Sequence, residues 1–86
     1  MKSYNATHAE RVKILLSYNL TERLCREDER KRITGISRSQ AWKLEQNNEF
    51  PHRIRIAIRT TVWRLSDLLI WVELNSNKNI GGSSYE

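Results

Sequence analysis

The stretch TGISRSQAWKLEQNNEFPHRIRIAIRTTVWR, residues 34–64, contains the patterns that decide the fold. Residues 37–40 (SRSQ) form a capping box, which predicts a helix that begins there and runs to about Asn47. The charge-rich residues 26–33 predict a short helix before it, because acidic residues lie near the start and basic residues near the end. Gly35 supplies a turn between the two. A short helix, a glycine-containing turn and a capped second helix are typical of a helix-turn-helix.

The second half of the stretch predicts a β-hairpin. Residues 53–59 (RIRIAIR) alternate between arginine and apolar residues, and this period of two indicates a strand rather than a helix. The β-forming residues 60–63 (TTVW) predict a return strand, with the tip of the hairpin near residues 57–60. The isoleucines are then expected to face the core. The other face of the two-stranded hairpin carries a basic ladder of Arg53, Arg55 and Arg59.

Two further helices are expected on either side of this unit. Residues 7–10 (THAE) form another capping box, and the apolar spacing after it predicts a helix that ends near Asn19. Ser66 is expected to cap a last helix with a core-facing apolar stripe formed by Leu65, Leu68, Leu69 and Val72. The end of the chain is polar and rich in Gly and Ser, which predicts a disordered tail. Helices with a single hairpin predict an α+β fold.

The large and sulfur-containing side chains have simple expected places. Trp63 and Trp71 are expected in the core, and Cys25 is expected to be a small buried hydrophobe. Trp42 lies on the capped helix, where it either packs under the hairpin or lies against a phosphate–sugar backbone.

The positive charge of the chain is concentrated on two elements. The 86 residues are enough for one small domain, with 15 Lys and Arg against 10 Asp and Glu. Between Arg38 and Arg64 there are six basic residues against two acids, Glu45 and Glu49. The capped helix and the hairpin are therefore expected to bind an acidic partner, nucleic acid first. A helix fits the major groove of DNA, and an arginine at a hairpin tip can reach the minor groove.

Several classes of protein are not expected. A single cysteine excludes an intrachain disulfide, and the spacing of His8, Cys25 and His52 fits no common metal site. No nucleophile–base pair or phosphate-binding loop stands out, so we expect no enzyme, no metal and no cofactor. The sequence shows no signal peptide and no apolar run near the ~20 residues that span a bilayer, so a cytoplasmic, nucleoid-associated protein is expected.

Several motifs at fixed spacing resemble those of one family. They are RLC (residues 23–25), TGISRS (34–39), WKL (42–44), EFP (49–51), WR (63–64) and Trp71. Together they are similar to the AlpA family of prophage regulators, which resembles the excisionases and the MerR-type winged helices. The resemblance implies a small winged helix-turn-helix that binds DNA. It divides the chain into an N-terminal extension with a short helix (1–21), a winged-helix domain (22–75) and the disordered tail (76–86).

The resemblance also assigns the expected DNA-binding residues. It places the capped helix as the recognition helix and the hairpin as the wing. The recognition helix then carries Arg38, Ser39, Trp42 and Lys43, with Gln40 nearby, and the wing carries Arg59. The alternating pattern adds Arg53 and Arg55 of the basic ladder to the expected DNA-binding residues. Three features depart from the family pattern: Arg30 stands where an apolar residue is usual, residues 1–20 lie outside the match, and the wing tip is Ala57-Ile58 rather than a small or polar turn.

The family's members regulate integrase genes, act as recombination directionality factors (excisionases), or do both. We therefore expect a sequence-specific double-stranded DNA-binding protein of a mobile element. Its candidate partners are DNA, other copies of itself on DNA, and a tyrosine recombinase (integrase). The alternative is a protein-interaction module whose basic surface binds a recombinase or repressor. An RNA-binding role is disfavoured because no surface row of aromatic residues is predicted.

Overall fold

The computed structural model describes the backbone of residues 6–79 and the side chains of residues 6–76. The helices are α1 (His8–Tyr18), α2 (Glu27–Thr34), α3 (Arg38–Gln46) and α4 (Leu65–Asn79), and the strands are β1 (Leu24–Cys25), β2 (Ile54–Ala57) and β3 (Thr60–Arg64). The strands form one antiparallel sheet in the order β1-β3-β2. The predicted α+β winged helix-turn-helix is therefore confirmed.

The sheet has one strand more than the predicted two-stranded hairpin. Strand β1 pairs with the end of β3, with Leu24 opposite Arg64 and Cys25 opposite Trp63. A strand of two residues has no detectable period, which explains why the sequence did not reveal it. The pairing leaves β3 as the central strand, so both the segment before the helix-turn-helix and the wing are attached to it.

The predicted ends of the first three helices are confirmed. At the start of α1 the Thr7 hydroxyl accepts the Glu10 N–H at 3.1 Å, and the Glu10 carboxylate accepts the Thr7 N–H at 2.8 Å. Asn19 ends α1 with a left-handed φ of 58°. At the start of α3 the Ser37 hydroxyl accepts the Gln40 N–H at 3.2 Å, which is one half of the predicted capping box.

Both predicted ends of the last helix are wrong. Helix α4 begins at Leu65, and Ser66 is fully buried inside its first turn rather than capping it. The cap comes from far along the chain, because the Glu22 carboxylate accepts the Ser66 N–H at 3.0 Å and its hydroxyl at 2.7 Å. Residues 76–79 were predicted as tail but continue α4, since no Gly or Pro interrupts the helix there. The rest of the predicted tail, residues 80–86, lies outside the described residues.

Helix α4 forms the centre of the hydrophobic core. Its first five residues, 65–69, are all buried, as expected for a helix that is covered on several sides. Trp63 and Trp71 are 2% and 8% exposed, which confirms their predicted places in the core. Helix α1 packs on α4, where Ile14 and Leu15 contact the core. The Arg11 guanidinium also pairs with Asp67 at 2.9 Å, and the Tyr18 hydroxyl bonds to Glu73.

The buried guanidinium of Arg30 connects the two helices of the helix-turn-helix. Its side chain is fully buried, yet all of its nitrogens have partners. The Glu27 carboxylate accepts from Nε and Nη2, while Nη1 donates to the Thr34 hydroxyl at 3.2 Å and to the Ile36 carbonyl at 2.9 Å. Because Ile36 lies in the turn after Gly35, this one side chain fixes the path from α2 to α3. At the position where the resemblance implies an apolar residue, Arg30 is thus buried with its polar groups paired.

Replacing Arg30 is expected to destabilise the domain strongly. Arg30→Ala leaves a cavity and removes the donor to the Ile36 carbonyl, so the free energy of unfolding should fall by about 3 kcal/mol. Arg30→Lys keeps the charge but loses the planar fork, and it should also destabilise. Urea unfolding measures both. Arg32→Ala, at an exposed position of the same helix, is the control. A loss of less than ~1 kcal/mol in Arg30→Ala would contradict the role assigned to this side chain.

Cys25 is fully buried, as predicted, and its thiol should be unreactive in the folded protein. Burial and the nearby Glu29 carboxylate raise the pKa of Cys25 to about 11, which keeps the thiol protonated at neutral pH. A disulfide reagent at pH 8 should therefore label the native protein slowly and the urea-unfolded protein at once. Rapid labelling of the native protein would contradict the buried position.

Candidate nucleic-acid interface

Helix α3 presents a continuous exposed polar face. Ala41, Leu44 and Glu45 are buried or half-buried against the domain, at the spacing of one helix face. The opposite face is exposed and carries Ser39 and Lys43 at its centre, with the other predicted residues at its edges, namely Arg38, Gln40 and Trp42. All five of the predicted recognition-helix residues are therefore accessible to a ligand.

Trp42 does not pack under the wing. Its side chain is 52% exposed, so the first of its two expected places is wrong. The exposed indole lies one helical turn after Arg38, on the open side of α3. It is free to make an apolar contact with whatever covers that helix.

The wing departs from the predicted strict alternation. In strands β2 and β3, Arg55 pairs with Thr61 and Ala57 pairs with Thr60. Two residue intervals along β2 therefore lie opposite one residue interval along β3. The extra residue is Ile56, which forms a β-bulge. Ile56 is the bulged residue and Ile58 lies in the turn after β2, so neither side chain faces the core. They are 56% and 86% exposed, which corrects the expectation that the isoleucines are buried.

Arg53 is half-buried and bonded to Glu45 rather than projecting as part of a free basic ladder. Its Nε donates to the Glu45 carboxylate at 3.1 Å, and its backbone N–H donates to the same carboxylate at 3.0 Å. Its guanidinium carbon lies 5.4 Å from the centroid of the Trp63 ring. Arg53 therefore joins the base of the wing to α3, while Arg55 and Arg59 remain exposed.

The connection between α3 and the wing is also fixed by the core. Phe50 and Pro51 are buried, and Phe50 packs edge-on against Trp71 with ring centroids 5.0 Å apart. The Trp71 indole N–H donates to the Glu49 carbonyl at 2.9 Å, and the Trp63 indole N–H donates to the Pro51 carbonyl at 3.1 Å. These contacts set the position of the wing relative to α3.

Four arginines of the described residues form ion pairs with acids. On the α1, α2 and α4 side, the acids Asp67, Glu27 and Glu29 pair with basic residues, namely Arg11, Arg30 and Arg23. Between α3 and the wing, Glu45 pairs with Arg53. Within residues 6–76, no ion pair engages the exposed basic residues of these two elements, which are Arg38, Lys43, Arg55, Arg59 and Arg64. Lys13, Arg26, Lys31 and Arg32 are also exposed and form no ion pair in this range. Outside residues 38–64, however, nine Lys and Arg are nearly balanced by eight Asp and Glu, whereas residues 38–64 hold six against two. Most of the net charge of +5 therefore lies on the helix, the hairpin and their connection.

Gln46 belongs to the exposed face of α3 and was missed by the sequence analysis. It follows Lys43 by three residues and Trp42 by four, and its side chain is exposed. The helical spacing of those two residues was sufficient to find it. The exposed isoleucines of the wing were also missed, because nothing in the alternating pattern indicates a bulge.

The match with known families decides the class of the protein. The family model of the prophage CP4-57 regulatory protein (AlpA) matches residues 23–75, more than half of the chain. This chain belongs to the AlpA family. The family consists of phage-derived DNA-binding regulators rather than enzymes. No curated protein and no solved structure matches the chain.

The match to AlpA spans the structural parts that form the candidate interface. It contains the helix-turn-helix, the Glu49–Pro51 connection, the wing and the first part of α4. It omits α1. Across residues 6–76 of this AlpA-family chain, no group of three or more His, Cys, Asp or Glu side chains is arranged to hold a metal ion. None of the described helices is long and apolar enough to cross a membrane.

Removing the Glu45 carboxylate is expected to loosen the base of the wing. Glu45→Ala leaves the Arg53 N–H and guanidinium without their acceptor, so the free energy of unfolding should fall by about 2 kcal/mol. Glu45→Gln keeps one oxygen acceptor and should cost less. Hydrogen exchange at the Arg53 amide should become faster in Glu45→Ala. Glu49→Ala is the control, because the Glu49 side chain is exposed. An unchanged Arg53 exchange rate would show that Glu45 does not hold the wing.

Proposed function

We propose that the exposed face of α3 and the wing bind double-stranded DNA in a sequence-specific manner. Helix α3 lies in the major groove and the wing follows the adjacent minor groove. Ser39, Gln40, Lys43 and Gln46 then face base edges, and the flanking Arg38 contacts a base edge. Trp42 lies against the sugar–phosphate backbone, and Arg55 and Arg59 contact the minor groove and its phosphates.

The excess of exposed basic residues over acids on α3 and the wing carries this proposal. A positive residue next to an acid adds little to the field around a protein, whereas five exposed basic residues against the single exposed acid Glu49 attract a polyanion. These residues occupy a helix and a hairpin, the two shapes that enter DNA grooves. Arg53 supports binding from within, because it fixes the hairpin to α3.

We propose that the bound protein acts as a regulator of a mobile element, either as a recombination directionality factor or as a transcriptional regulator of the integrase gene. A single module of this size contacts few base pairs, so several copies bound side by side are expected on repeated sites. Bending a site costs about 1–6 kcal/mol, which several bound copies share. Direct contact with a tyrosine recombinase is the partner interaction that excision requires.

Selection from a random duplex library, followed by gel shifts at several salt concentrations, tests the proposal. We expect a defined sequence to be enriched and its affinity to fall steeply with salt. Footprinting on the attachment site and on the integrase promoter separates the two regulatory roles. No duplex binding at about 50 mM salt would contradict the proposal. Capture of a recombinase from nuclease-treated lysate in that case would favour the protein-interaction alternative.

Two arginine variants should change DNA binding in different ways. Arg38→Ala should relax sequence preference, lowering discrimination at one base position by about 1–3 kcal/mol. Arg59→Ala should weaken binding to all sequences alike and reduce the slope of log affinity against log salt by about one. Lys13→Ala removes an equal charge from α1 and should change neither quantity. If all three variants behaved identically, affinity would depend only on net charge, and the assigned groove contacts would be wrong.

A further inference from the structure

The tip of the wing exposes an apolar side chain in a turn that lacks the usual turn residues. The turn between β2 and β3 consists of Ile58 and Arg59, and the Ile58 side chain is 86% exposed. Hairpin turns usually carry Gly, Asn or Asp, which supply a positive φ. Neither Ile58 nor Arg59 has a positive φ, so the turn adopts a backbone that a branched apolar side chain tolerates. The backbone geometry therefore permits an exposed isoleucine at this position.

We propose that Ile58 inserts between two base pairs from the minor groove and kinks the bound DNA. This inference rests on the proposed function and names the group that deforms the duplex. Proteins that bend DNA from the minor groove commonly use an apolar side chain, isoleucine among them, to unstack a base step. The tip is a two-residue turn, which is narrow enough for a groove about 6 Å wide.

Charge complementarity identifies DNA as the occupant of this tip. Ile58 is directly followed by the exposed Arg59, and the exposed Arg55 lies on the preceding strand. Arginines at this position are drawn to the negative potential of a minor groove, and they carry the isoleucine with them to the floor of the groove.

The β-bulge at Ile56 changes the direction in which the tip of the wing points. A bulge increases the local twist and re-aims the strand that contains it. Ile56 itself is 56% exposed and lies next to the tip, so it adds a second apolar side chain beside Ile58. The pair can cover the unstacked face of a base after Ile58 has entered. Only pyrimidine–purine steps unstack easily, so the insertion also adds sequence preference without a hydrogen bond to any base.

The test uses duplexes of the selected site with 2-aminopurine placed at successive positions beneath the wing. The wild-type full chain should raise the fluorescence at one step, because unstacking relieves quenching. Ile58→Ser should abolish that rise and weaken binding about tenfold. It removes no charge, so the salt slope should stay unchanged. Ile58→Leu should restore the signal. Leu16→Ser, which removes another exposed apolar side chain from α1 (74% exposed), is the control and should bind like wild type.

The outcomes separate this inference from the proposed function. If the wild type binds no duplex, both are wrong. If the wild type binds and Ile58→Ser shows the same affinity and the same fluorescence, only the insertion is wrong. If Ile58→Ser binds a single site normally but loses cooperative binding to adjacent sites, the tip contacts a neighbouring copy instead, and the insertion is overturned. Circular dichroism melting verifies that Ile58→Ser is folded.

Discussion

Two guanidinium groups lie over the indole ring of Trp63, and the placement of both α3 and the wing depends on them. Arg30 from α2 lies 5.7 Å from the ring centroid, and Arg53 from the base of the wing lies 5.4 Å from it. Each such contact contributes about 0.5–2 kcal/mol when it is removed from water. Because Arg30 also holds the turn that leads into α3, and Arg53 also holds α3 through Glu45, one central-strand side chain sets the position of the helix and of the hairpin together.

This arrangement explains why the buried charges are compatible with a small core. A buried charge without partners is costly, and a domain of this size has little stability to spare. Within the described part of the chain, no buried side-chain nitrogen or oxygen lacks a hydrogen-bond partner. Arg30 and Glu45 therefore join secondary-structure elements through hydrogen bonds of defined direction, whereas an aliphatic residue at either position would make only non-directional apolar contacts. These hydrogen bonds fix the angles between elements, and the proposed binding to two grooves at once depends on those angles.

The features predicted correctly from the sequence are local, and those missed depend on tertiary contacts. Helix starts at Thr7 and Ser37 could be predicted because a capping residue acts within one turn of itself. The cap of α4 could not, because Glu22 reaches Ser66 across 44 positions in the chain. The alternation in residues 53–59 correctly indicated a strand, but the bulge that exposes Ile56 is set by pairing with β3. In the same way, the charge of Arg53 was visible in the sequence, and its engagement by Glu45 was not.

The segment matched by the family model is shorter than the segment that the fold needs, because α1 packs on α4 but lies outside the match. A fragment cut at residue 23 would retain the entire family match, yet it would lose Glu22, which caps α4, and Arg11, which neutralises Asp67. It would also uncover Ile70 and Leu74, which border the groove beneath Ile14. Shortened versions for crystallisation or for hybrid regulators should therefore begin no later than Thr7.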